Sequence, residues 1–173
     1  MDQQKMLEIL WAKDQIRHKI YAYSRACDRV QRDLQNEVFW PEAQLDYGEA
    51  LYQGGVDGFA EFSDNYHLTL CSGTHHAMAN TYIIVEGNKA FSETYGLIAL
   101  RSLVDEEGVL KEYTGRHRYI DEWECRDGEW KIIKRTHCKD FCDDRVITNS
   151  GEPAMSTRDN QDPSYIALNN VCK

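Results

Sequence analysis

The chain has 173 residues and a formal net charge of −9, the size of one domain and the wrong sign for a nucleic-acid binder, which needs a basic face to displace counterions. Its 10 Tyr, 5 Phe and 4 Trp against only 3 Pro supply a core and show no interdomain linker. No apolar run approaches the roughly 18 residues of a membrane span, and the opening MDQQKMLEILWAKDQ lacks the basic-then-apolar pattern of a secretory leader, so neither a membrane nor an exported location is expected and the reading is cytoplasmic.

Residues 6–29 read as a helix, because Ile16, Ile20, Tyr23 and Cys27 fall at spacings that make one apolar stripe. Asp28 ends that run beside the stripe. A short helix is expected over 33–38, before Pro41 interrupts it, then a short strand over 43–47 ending at Gly48. Residues 56–70 carry Val56, Phe59, Phe62 and Tyr66 at helical spacing and predict a third helix. From Thr74 the period changes to that of strands, expected over 74–86, 89–104, 109–125 and 129–141. Turns at Gly87-Asn88, Asp105–Gly108 and Arg126-Asp127-Gly128 join them into an antiparallel meander. From about residue 143 the chain turns polar and irregular, a tail expected to wrap over the domain or a neighbouring subunit. The expected division is a domain over 1–142 and a C-terminal extension over 143–173. Helices first and hairpins afterwards make an α+β plan, with helices covering one face of a long twisted sheet and leaving a hollow suited to a small molecule.

Six cysteines stand at 27, 71, 125, 138, 142 and 172, none as C-x-x-C, and read as free thiols. His137, Cys138 and Cys142 lack the second ligand pair of a zinc site. No G-x-G-x-x-G, P-loop or zinc pair occurs, so the expectation is no metal and no cofactor. In THHAMAN, strand alternation sends His76, Met78 and Asn80 to one face and His75, Ala77 and Ala79 to the other.

Three pieces in order, IRHKIYAYSRACDR, THHAMAN and RYIDEWECRDGEWKIIKR, together resemble the SnoaL-like branch of the nuclear-transport-factor-two-like superfamily, over about residues 6–142 and the D-P-S-Y of the tail. The resemblance implies a cone-shaped, curved antiparallel sheet closed by the N-terminal helices, a cystatin-like α+β barrel. That fold hosts dehydratases, a dehydrochlorinase, polyketide cyclases, isomerases and non-catalytic subunits, so it does not by itself name a reaction. In the dehydratase and dehydrochlorinase members a helix aspartate pairs with a strand histidine. The matching positions are Asp28 and His76, the histidine standing four residues before Asn80. Arg135 matches an arginine of the dehydrochlorinase; it either serves the site, attracting a leaving anion or orienting the substrate, or pairs with Asp121 or Glu124 on the adjacent strand. Tyr47, in L-D-Y-G, matches a tyrosine that helps hold a substrate carbonyl in scytalone dehydratase; Tyr23 and Tyr119 are expected to line the cavity as well, and Asn80 shares the face of His76, so all three are candidate substrate contacts. The chain departs from both relatives. Tyr23 stands in place of a lysine, Cys27 in place of a tyrosine, and His117 and Tyr119 in place of a serine and an asparagine. His117 and His137 read as surface or packing residues.

A neutral imidazole accepts a proton near neutrality, and a carboxylate on its Nδ1–H fixes the tautomer and stabilises the imidazolium. The implied function is a cofactor-independent lyase, a dehydratase or dehydrohalogenase, acting on a small hydrophobic cyclic or polyketide-like compound. An isomerase or cyclase with the same base, and a non-catalytic ligand-binding or structural domain, stand as alternatives. Lyase-branch relatives imply a homo-oligomer, a trimer in the first instance.

Overall fold

The structure, a computed structural model, describes residues 2–147 and 156–172; the NSGEPAM part of the expected tail lies outside the described residues. Helix α1 (Gln3–Arg29) buries Ala12, Ile16, Ile20, Tyr23, Ala26 and Cys27, the predicted stripe. It stops where Val30 takes a left-handed conformation, φ 51°, a common way to close a last turn. Helix α2 (Arg32–Asn36) and strand β1 (Phe39–Asp46) follow, then a three-residue strand β2 (Gln53–Gly55). Helix α3 (Val56–Asn65) ends in a π-helical turn (Tyr66–Leu70), so the stretch expected as one helix changes winding at Tyr66. Four long strands complete the sheet: β3 (Cys71–Glu86), β4 (Lys89–Ser102), β5 (Leu110–Arg126) and β6 (Glu129–Ile147).

The expected closed cone or barrel is not what these strands form. They lie in the order β2-β1-β6-β5-β4-β3, an open sheet whose edges are β2 and β3. The sheet is also mixed, since β1 runs parallel to β6 while the other neighbours are antiparallel. The parallel pair arises because the whole meander intervenes between β1 and β6, and a long connection allows strands to run the same way. At the β3 edge, the backbone N–H and C=O of His76 that point away from β4 are taken by Asp28 and Ser24 of α1. A helix therefore covers this part of the edge.

The irregular tail is also corrected in part. Strand β6 continues to Ile147, and a fourth helix, α4 (Pro163–Val171), begins after Asp162, whose side chain accepts from the Ser164 backbone N–H. Proline at the first turn and aspartate before it are a strong helix start. This segment lies on the end of α1: Arg25 donates to Ser164 Oγ at 3.2 Å and Arg29 pairs with Asp162 at 3.6 Å. Arg158 donates to the carbonyls of His67 and Cys71 at 2.6 and 2.9 Å, tying the same segment to the π-helical turn.

The inner face of the sheet is graded. Tyr113, Gly115, His117, Tyr119, Asp121 and Trp123 succeed one another along β5 with the two-residue period of a strand. Trp123 is almost wholly buried, packs in the core with Ile16, Val38 and Ile132, and donates its indole N–H to Ser92 at 2.8 Å. Burying such side chains contributes roughly 1.5–3 kcal/mol each. The apolar end of the row anchors the fold; the histidine and tyrosine end faces a hollow.

Candidate functional site

A cavity of about 460 Å³ opens between the sheet and the α3 and π-helical segment. Ser24 and Asp28 stand one turn apart on α1 and grip β3 at the same residue. The Ser24 hydroxyl donates to the His76 carbonyl. The Asp28 carboxylate accepts the His76 backbone N–H with both oxygens at 3.0 Å, and meets the imidazole Nδ1 at 2.7 Å. With Nδ1–H held by the carboxylate, Nε2 is left as a lone-pair nitrogen on a ring that lines the cavity. His75 turns outward, its side chain 76% exposed and its Nδ1 3.9 Å from Asp28. Burial pushes the Asp28 carboxyl up, but the hydrogen bonds from the His76 side chain and backbone N–H, with the positive charge that a protonated neighbouring imidazole would add, outweigh it and hold the group below its ordinary value. Asp28 is thus an anion at neutral pH, as an orienting carboxylate must be.

Tyr23, Tyr47 and Tyr119 all line the cavity. The Tyr23 and Tyr47 hydroxyls are 2.8 Å apart, and Tyr47 lies flat between Phe59 and His137, with centroids 4.6 and 4.9 Å away. Burial raises the phenol of Tyr47 to about 12 and those of Tyr23 and Tyr119 well above the ordinary value. All three remain neutral hydroxyls at physiological pH.

Two of the expected site residues stand elsewhere. Asn80 is exposed and does not line the cavity. Met78 pairs with Gly96 and Thr81 with Thr94, so β3 carries one extra residue between them, a β-bulge. Simple alternation from His76 fails at that point. Arg135 is 1% exposed and outside the cavity wall. Its guanidinium forms a two-pronged pair with Asp121 at 2.7 and 2.9 Å and lies over the rings of Tyr23, Tyr119 and Phe39 at 4.2, 4.8 and 5.2 Å. Burial alone would loosen its proton; Asp121 reverses this and holds it well above the ordinary value. Of the two roles open to Arg135, the geometry matches the ion pair, with one long contact of 3.4 Å to the Tyr47 hydroxyl.

Three histidines not expected at the site are in the cavity wall: His67, His117 and His137. His117 and His137 are hydrogen-bonded, and neither is a surface residue; His117 is 5% exposed. Burial is the first cause that depresses each, His67 and His137 to about 3 and His117 to about 4. The signal for His117 was present, since it stands two residues before the inward Tyr119. His67 sits one turn after the buried Ser63, whose hydroxyl meets its Nδ1 at 3.3 Å. Among the described residues no group of three or more His, Cys, Asp or Glu side chains is arranged to hold a metal ion, and all six cysteines are free. No described helix is long and apolar enough to cross a membrane.

A family model described as a SnoaL-like domain matches residues 8–136. Among solved structures, a hexachlorocyclohexane dehydrochlorinase of type 2 is 20% identical, with a TM-score of 0.72, covering 85% of this chain and 97% of its own. A type 3 form from Novosphingobium barchaimii LL02 is 17% identical, with a TM-score of 0.72 and coverage of 86% and 98%. A candidate scytalone dehydratase from Novosphingobium aromaticivorans is 18% identical, with a TM-score of 0.71 and coverage of 86% and 99%. No curated protein matches. At these identities the structural likeness establishes the fold.

Proposed function

Because the chain belongs to the SnoaL-like domain family and holds an oriented imidazole in a cavity, we propose that it is a cofactor-independent lyase of the dehydratase type. The carrying observation is the 2.7 Å contact between His76 Nδ1 and Asp28, which leaves Nε2 as a base toward the cavity. His76 is the general base, removing a proton from a carbon of the substrate, and Asp28 stabilises the imidazolium that results. Such base catalysis contributes typically about 10²–10⁴-fold. Tyr23, Tyr47 and Tyr119 supply neutral hydroxyls and ring faces, suiting a small uncharged cyclic or polyketide-like compound. Arg135 acts behind them, fixing Tyr23 and Tyr119 by its charge. The same base serves an isomerase or cyclase, and the products separate the two: elimination lowers the substrate mass, isomerisation keeps it.

The test is turnover of cyclic hydroxy compounds and halocycloalkanes followed by mass spectrometry, with His76→Ala and Asp28→Asn as controls. Both variants are expected to lose about 10²–10⁴-fold. Unchanged turnover in His76→Ala rejects the base. We also propose self-association, a trimer first, through the outer sheet face, where Tyr82, Ile84, Tyr95 and Leu97 are 61, 49, 43 and 44% exposed. Light scattering that returns a monomer mass rejects it.

A further inference from the structure

The wall of the cavity formed by β5 and β6 carries a second polar assembly. The Tyr113 hydroxyl and His117 Nε2 meet at 3.0 Å across Gly115. A Cβ on that glycine would lie 2.0 Å from His117 Nε2 and 2.6 Å from the Tyr113 oxygen, so only glycine leaves room for this bond. His117 Nδ1 then meets His137 Nε2 at 2.8 Å, with the two rings 4.8 Å apart and 22° from parallel. His137 is stacked in turn on Tyr47.

The proton positions follow in order. Each neutral imidazole has one N–H and one lone-pair nitrogen. The Tyr113 hydroxyl also has the Cys142 thiol beside it, but an imidazole nitrogen is a far better acceptor than a thiol, so Tyr113 donates to His117 Nε2. The His117 proton is then on Nδ1 and donates to His137 Nε2. The His137 proton is left on Nδ1, which has no hydrogen-bond partner among the described residues, on a ring that lines the cavity. Burial keeps both rings neutral at physiological pH. A neutral N–H aimed at a reacting oxygen needs no reorganisation as charge develops there.

We propose that His137 is a neutral N–H donor to a substrate carbonyl oxygen, with Tyr113 and His117 as positioning residues that fix its tautomer, so that the cavity takes enolisable ketones. The inference rests on His76 as the base. His76 Nε2 takes the proton from the carbon next to the carbonyl; the C–H electron pair becomes the enolate double bond, and the carbonyl pair becomes an oxyanion held by His137 Nδ1–H. When the enolate re-forms the carbonyl, the β C–O bond breaks and the leaving hydroxyl takes the proton from the His76 imidazolium. A β-hydroxy ketone thus gives an enone and water. A halocarbon without a carbonyl leaves the His137 donor without an acceptor. Among the described residues it also finds no buried cation for halide: Lys139 in the wall is exposed, and Arg135, behind the wall, is committed to Asp121.

Two measurements on the full chain test this. Long-range ¹H–¹⁵N spectra are expected to show His117 and His137 each with a single proton on Nδ1 from pH 8 to 5, and Tyr113→Phe is expected to shift both rings through the shared bond. A His137 proton on Nε2, or a His137 signal unmoved in Tyr113→Phe, overturns the assignment. The second measurement is exchange of the α-protons of 1-tetralone in D₂O. His137→Phe, which keeps a ring against Tyr47, is expected to slow it at least tenfold. Equal rates in His137→Phe and the parent overturn the donor role. No exchange above the buffer rate overturns the ketone assignment while leaving the His76 base standing for other carbon acids. Loss of exchange in His137→Phe but not in His76→Ala instead rejects the base and, with it, the enolate step.

Discussion

Replacing Asp121 by asparagine tests how Arg135 is used. Both side chains are almost fully buried, at 0 and 1% exposure. The substitution keeps the shape but removes the charge that balances the guanidinium. What remains around Arg135 is a neutral amide oxygen, the 3.4 Å contact to the Tyr47 hydroxyl and the faces of Tyr23, Tyr119 and Phe39, the faces worth roughly 2 kcal/mol for a desolvated cation. Breaking one side of a buried pair costs about 3–5 kcal/mol. For a chain of this size each kcal/mol lowers Tm by about 2–4 °C, so Asp121→Asn is expected to melt about 6–20 °C below the parent. Removing both charges, as Asp121→Leu with Arg135→Met, is expected to recover most of that loss, because two apolar side chains of similar volume owe no desolvation. Urea unfolding of Asp121→Asn, and of Asp121→Leu, Arg135→Met and their double read as a cycle, is the assay. A loss under about 1 kcal/mol for Asp121→Asn would refute the reasoning and return Arg135 to the substrate.

The other predictions concern acid and Asn80. His67, His117 and His137 are depressed to about 3, 4 and 3 by burial, so the unfolded chain binds their protons first as pH falls below about 6.5. Their contribution is complete above that pH and is lost as pH drops toward about 4 for His117 and about 3 for His67 and His137. At pH 5 the loss is at most about 2 kcal/mol for each ring, and less than the sum for the coupled His117–His137 pair; a urea midpoint unchanged between pH 7 and 5 counts against the buried assignment. Asn80→Ala is expected to change stability by less than about 0.5 kcal/mol and to leave ligand affinity unaltered; a tenfold loss of affinity in calorimetry would place Asn80 in the cavity after all.

What could be read without coordinates was local or periodic. The stripe Ile16–Ile20–Tyr23–Cys27 is a helix because its spacing is 3.6-fold, and it is buried as that spacing requires. The meander follows from Gly-bearing turns between alternating runs. His76 and Asp28 were legible as a pair because a resemblance supplied the long-range contact that spacing cannot. The misses share a cause. Sequence alternation carries no mark of a bulge, so Asn80 was placed on the wrong face when the strand gained a residue between Met78 and Thr81. Nor does it say which strands meet across a sheet. Whether Arg135 faces Asp121 or a ligand, whether His117 reaches His137, and whether the sheet closes or stays open were decided by strand order and register, which arise from packing between residues far apart in the chain.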